Sequence, residues 1–143
     1  MTALLTYLFG FAVAALVGSA HHFALAGILK IAPHDGTHAR SVVVVTFVAL
    51  LALHSAEILG LAALNAALIG GFPGAFAEGP PGFTDVVYVT GIAFSTLGYA
   101  SIDAAGAFRL ILMFEALLGF MLLTWSATFL FSACQKSWQQ DEG

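Results

Sequence analysis

The run Ser95-Thr96-Leu97-Gly98-Tyr99-Ala100 joins side-chain hydroxyls to a glycine, between a short amphipathic stretch and a long apolar one. What such a run offers is its backbone. A membrane segment ending in Thr-Leu-Gly-Tyr-Gly can line an ion pathway with carbonyl oxygens, and this one departs from that pattern only at Ala100. A second group of candidates is ionisable and set in apolar surroundings. Glu57 and Glu115 fall inside long apolar segments, where a carboxylate is costly unless paired or hydrated. His54 and Glu57 are three residues apart, so on a helix they share a face and can bond each other.

The elements that hold these residues follow from composition. Of 143 residues, 60% are hydrophobic and 8% charged, against roughly 25% charged in a soluble domain. Too few ionic groups exist to cover a globule in water, so the surplus apolar surface faces lipid. Apolar segments cover residues 2–31, 41–69 and 107–133, each longer than the roughly 20 residues a crossing needs. The first is expected to be a retained membrane helix rather than a signal: no Lys or Arg precedes it, and residues 3–20 exceed an h-region of about 7–15 residues. The link at 32–40 carries Pro33 and Gly36, which break helices.

The stretch between the second and third spans is broken by Gly71-Phe72-Pro73-Gly74 and Gly79-Pro80-Pro81-Gly82. Residues 84–94 then predict a helix of about three turns, too short to span. That fits a re-entrant half-helix, which lies at membrane depth only when protein or a water-filled path surrounds it. Thr84 or Asp85 is expected to cap its N-terminus, and Asp85 suits the positive end of its dipole. Lys30, Arg40 and Lys136 would share one side after three crossings, with Arg109 the exception. The positive-inside rule then makes the link and C-terminus cytoplasmic and the N-terminus and half-helix external. Glu78, Asp85 and Asp103 would draw cations to the outer mouth.

From Thr84 to Ser137 this order resembles the pore module of the potassium channel superfamily. His54-Ser55-Ala56-Glu57-Ile58 and Leu123-Thr124-Trp125-Ser126-Ala127-Thr128 are similar to segments of small bacterial ion channel proteins with an extra helix before a two-helix pore unit. The resemblance implies an all-α membrane protein with three transmembrane helices and a re-entrant pore helix, assembled as a homotetramer around a central pore. Residues 1–40 would form a peripheral helix and link. Residues 41–143 would form the pore module, with outer helix 41–70, pore helix 84–94, filter 95–100 and inner helix 107–133. It further implies passive K+ conduction, with Thr96 giving hydroxyl and carbonyl at the inner end and Leu97, Gly98 and Tyr99 giving carbonyl rings above. Tyr99 would brace the filter from behind, and Ser95 replaces the family's usual Thr. For the carbonyls to point one way the backbone must alternate between ordinary and left-handed conformations, which Gly98 allows because it lacks Cβ.

Ala100-Ser101 stands where the family has Gly-Asp. A left-handed Ala100 costs about 1–2 kcal/mol, so a non-selective or non-conducting pore stays open as an alternative, as does a non-conducting membrane binding or regulatory subunit. Glu57 and Glu115 are expected to brace the pore helix or to satisfy local polar groups. Gly119 lies where the family's inner helix bends, as a hinge or as a point of close helix packing. His21 and His22 would make polar contacts to neighbouring helices. His34 and His38, at i and i+4, could hold a transition metal only with further ligands, and no metal beyond a monovalent cation is expected. Tyr7, Trp125 and Trp138 sit near span ends as interfacial aromatics do. The single cysteine, Cys134, excludes an intrachain disulfide. No nucleophile-and-base pair, phosphate loop or basic patch points to an enzyme or to nucleic acid. The expected partners are the lipid bilayer and further copies of the chain, with no soluble substrate and no organic cofactor.

Overall fold

Four helices run in the expected order in the computed structural model, which describes residues 2–31, 39–76, 79, 81–98 and 104–141. Helix α1 spans Ala3–Ile31, α2 Ala39–Leu68, α3 Phe83–Phe94 and α4 Phe108–Asp141, and a 3-10 turn at Ile69–Gly71 closes α2. Three of them are long and apolar enough to cross a membrane, over Ala3–Ile28, Ser41–Gly71 and Phe108–Gln135. Helix α1 stops shortly before Pro33, whose ring disfavours the helical conformation of the residue ahead of it. Helix α4 continues past residue 133, where hydropathy falls, to Asp141. Gln and Lys in that stretch are good helix formers, so the apolar run ends while the helix does not.

The outward faces suit lipid. Leu16 and Phe23 on α1, Val44 and Phe47 on α2, and Phe120 and Met121 on α4 are exposed. Exposed hydroxyls on the same helices turn inward. Ser19 donates to the Ala15 carbonyl, Ser55 to Leu51, Thr124 to Phe120 and Ser132 to Thr128. A hydroxyl bonded to its own helix leaves no unpaired donor toward hydrocarbon.

Two apolar clusters fix the frame. In the first, Leu61 of α2, Phe94 of α3 and Leu118 and Leu122 of α4 meet, with Val13 and Val17 of α1 packed against them. In the second, Phe72, Phe76 and Phe108 pack edge to face at 5.5–5.6 Å between centroids. Phe72-Pro73-Gly74-Ala75 leads the chain back from α2: the Ala75 N–H donates to the Phe72 carbonyl at 3.0 Å, and Gly74 has φ +74°. Pro followed by a left-handed Gly is the sequence that a type II turn requires. Next to it Phe76 and Ala104 form an isolated antiparallel bridge, with Ala105 N–H donating to Ala75 O at 2.7 Å.

Two glycines set helix separations. Helix α1 lies on α4 with Gly10 against Phe114, where an added Cβ would come within 2.6 Å of the ring. Helix α4 passes the end of α3 still more closely: a Cβ on Gly119 would lie 1.8 Å from the Phe94 carbonyl oxygen. A ring can turn aside, whereas a backbone carbonyl cannot. Gly119→Ala is therefore expected to destabilise the fold by about 1–3 kcal/mol, as overpacking does. Gly10→Ala should cost clearly less. Thermal unfolding of the two variants in the same detergent gives the comparison, and equal midpoints would contradict this account of the contact.

Candidate functional site

Helix α3 begins and ends on backbone devices. Its N-cap is Gly82, not Thr84 or Asp85. Phe83 already has helical geometry, so Asp85 falls at the third helical position and its Oδ2 accepts the Gly82 N–H at 3.1 Å. The carboxylate still sits at the positive end of the dipole. At the other end, Thr96 N–H donates to Ala93 O at 3.0 Å and Leu97 N–H to Ile92 O at 3.2 Å. With Thr96 at φ +58°, these bonds make a Schellman ending. Ser95 Oγ donates to the Gly91 carbonyl at 2.7 Å. The carbonyls of Gly91, Ile92 and Ala93 are thus satisfied locally.

The backbone sign alternates through this ending. Thr96 and Gly98 have positive φ (58° and 68°), and among the described residues Thr96 is the one non-glycine that does. For glycine that conformation is free of Cβ strain; for a β-branched residue it is an outlier costing about 1–2 kcal/mol. The sequence placed such strain at Ala100, and the structure adds a strained residue at Thr96. Thr96, Leu97 and Gly98 are exposed, Leu97 by 70%. Tyr99, Ala100, Ser101 and Asp103, with Glu78, His34 and His38, lie outside the described residues, as do the side chains of Arg40, Lys136 and Trp138.

Behind α3 stands a buried polar group from three helices. Asn65 of α2 donates through Nδ2 to Thr90 Oγ1 of α3 at 2.9 Å and to Glu115 Oε1 of α4 at 2.8 Å. All three side chains are buried. Asn65 Oδ1 and Glu115 Oε2 have no partner among the described residues. Glu115 therefore reaches the short helix through Asn65, which the sequence reading did not single out. The signal was present: Asn65 is a polar residue in an apolar span, as Glu57 and Glu115 are.

Glu57 lies elsewhere. Its Oε2 is 3.0 Å from His54 Nδ1, as the three-residue spacing anticipates, and its Oε1 is 2.8 Å from His21 Nδ1 of α1. His21 Nε2 is 3.2 Å from Ser126 Oγ of α4. A carboxylate only accepts, so both imidazoles turn an Nδ1–H toward it, and neutral His21 is left to accept from Ser126. His21 thus touches both neighbouring helices, while His22 is exposed and its ring lies 5.6 Å from Trp125. This cluster meets α3 only at its end, where the His54 ring is 6.0 Å from Phe94. Gly119 packs against that same residue; Tyr7 packs edge-on against Phe114 at 4.8 Å. Arg109 Nε donates to the Ala104 carbonyl.

Membrane-length helices flanking a short helix, with a strained and uncovered backbone segment at its end, are the architecture of a membrane protein built around a short, non-spanning helix. The chain belongs to the ion channel family: that family's model matches residues 41–136. The matched region holds α2 from Ser41 on, all of α3 and α4 as far as Lys136, and so covers nearly all of Thr84 to Ser137, the span that resembles the potassium channel superfamily pore module. The protein is thus a multi-pass membrane protein with an ion channel domain. Searches of curated proteins and of solved structures returned no match.

The Asn65 network sets a test of what holds α3. Asn65→Leu should lower stability by about 2–4 kcal/mol, because it leaves the Glu115 carboxyl buried and unpartnered. Asn65→Leu with Glu115→Leu should recover most of that loss, since it removes the orphaned carboxyl and leaves only the Thr90 hydroxyl, which can bond to a carbonyl of its own helix. Denaturant unfolding of the single and double variants measures it, and additive losses would count against the network.

Proposed function

We propose that this chain is the pore-forming subunit of a potassium channel, conducting K+ passively as a homotetramer. In this reading α3 is a re-entrant pore helix, residues 95–100 form the filter, and α4 lines the inner pore. The observation that carries it is the alternation of backbone sign at residues 96–98, directly after α3, in a segment the chain's own side chains leave uncovered. Alternation turns successive carbonyls toward one side, and a ring of such oxygens can replace the hydration shell of a cation. The N–H groups of Thr96 and Leu97 are directed back into α3, which keeps donors away from the ion path. The negative C-terminal end of each α3 would also favour a cation in the cavity below. Ser95 supports the filter through its bond to Gly91, and Glu115 through Asn65 and Thr90. Glu57 would act on it only through the contact of His54 with Phe94.

The charge pattern supports an orientation with the N-terminus external and the C-terminus cytoplasmic in the cell membrane, placing Lys30, Arg40 and Lys136 on the cytoplasmic side. A second reading rests on Ala100: with a side chain where the family has Gly, the outermost carbonyl ring turns off-axis and the pore is non-selective or closed.

Flux from liposomes loaded with K+ or Na+ separates the two. The first reading expects K+ flux to exceed Na+ flux by about tenfold or more, which is ~1.4 kcal/mol of discrimination. Ala100→Gly should raise that ratio. Equal fluxes in the native chain would leave the non-selective reading in its place. Absence of flux in both the native chain and the variant would overturn conduction in favour of a regulatory subunit.

A further inference from the structure

The cluster of His21, His54 and Glu57 reaches α3 through one contact, His54 against Phe94, and is otherwise separate from the filter. Each offers one ligand atom, and the three atoms lie within 4.8 Å of one another. They come from two helices and are enclosed by a third: the His21 side chain is fully buried, and those of Glu57 and His54 are 9% and 14% exposed. The His21 and His54 rings stack at 5.4 Å with 18° between planes, and each turns its Nδ1 to a different oxygen of Glu57.

We propose that His21, His54 and Glu57 form a binding site for a divalent transition-metal ion of the Zn2+ class, joining α1 to α2. Two imidazoles and one carboxylate with a position left for water is a donor set that such ions take. It is unsuited to K+, Mg2+ or Ca2+, which require mostly oxygen ligands. Bonds of about 2.0–2.2 Å in a tetrahedral arrangement put ligand atoms roughly 3.4 Å apart. At present His21 Nδ1 lies 2.8 Å from Glu57 Oε1 and His54 Nδ1 3.0 Å from the other oxygen, Oε2; the three ligand atoms are already within 4.8 Å of one another, and small side-chain rotations bring them to that spacing.

The proton balance is met by the surroundings. When Nδ1 of a neutral imidazole binds the metal, the ring's single proton moves to Nε2, so no net proton is released. At His21 the acceptor for that proton is already in place, because Ser126 Oγ lies 3.2 Å from Nε2. A partner on the far nitrogen is what metal-binding histidines almost always have. Ser126 thus serves as a positioning residue that holds the His21 ring whether the metal or a proton occupies Nδ1. His22, whose ring faces Trp125 instead, takes no part.

The site is tested on the purified full chain without a histidine tag, carrying His34→Gln and His38→Gln to remove the histidines of the link. Zn2+ titration against a competing chelator should give one ion per chain, and Co2+ should give the visible absorption of a four-coordinate nitrogen and oxygen site. Zn2+ should also raise the unfolding midpoint. His54→Gln and Glu57→Gln are each expected to abolish the Co2+ spectrum, and Ser126→Ala to weaken binding by about tenfold, as loss of an outer partner does. His54→Cys, which restores a ligand, should bind again with a shifted, sulfur-type Co2+ spectrum, distinguishing loss of a ligand from loss of fold. His22→Gln should bind as the parent does. Failure of the parent to bind Zn2+ or Co2+, or binding that survives Glu57→Gln or depends on His22, would overturn the site.

Discussion

The amide of Asn65 holds this architecture together. Helix α3 is too short to cross a bilayer and carries buried Thr90, so it needs partners that supply polar contacts where water does not reach. Asn65 supplies them by reaching α3 and α4 from α2 with one nitrogen. Apolar packing of Phe94 against Leu61, Leu118 and Leu122 gives the same three helices area of contact but little direction. The hydrogen bonds fix the rotational setting of α3, and with it the direction in which the chain leaves Ser95.

That exit direction then shapes the backbone beyond it. The Schellman ending satisfies the Ile92 and Ala93 carbonyls of α3 and puts Thr96 in a left-handed conformation that its branched side chain disfavours. Such strain persists only where the surroundings over-determine the geometry. Here the over-determination has identifiable parts: Ser95 bonded to Gly91, Phe94 pressed against Gly119, and α3 locked by Asn65. The lipid-facing surfaces are simpler by comparison, with apolar side chains outward and hydroxyls bonded to their own helices.

Much of this was legible in the sequence. Hydropathy located three long helices, and the glycine and proline clusters isolated the short one to within a residue of Phe83–Phe94. The spacing of His54 and Glu57 gave their bond. Other features were not legible, for physical reasons. Periodicity assigns a residue to a face but not a partner to that face, so the links of Asn65 to Thr90 and Glu115, and of His21 to Glu57 and Ser126, required the packed helices. The left-handed Thr96 had no local signature, since intrinsic preference points to Gly or Asn there and packing prevailed. The end of α4 was misplaced because hydropathy marks where a helix leaves lipid, not where it stops.

The bridge between Phe76 and Ala104 gives the chain a modular topology. Everything from the proline-rich turn through α3 to the approach of α4 is a closed excursion whose two ends are stapled side by side, beside the phenylalanine cluster of Phe72, Phe76 and Phe108. The long helices therefore meet the excursion in two places, at this staple and at α3, where Thr90 and Phe94 contact them. Positions of the excursion that make neither of these contacts are the ones free to vary while the scaffold that receives it is kept.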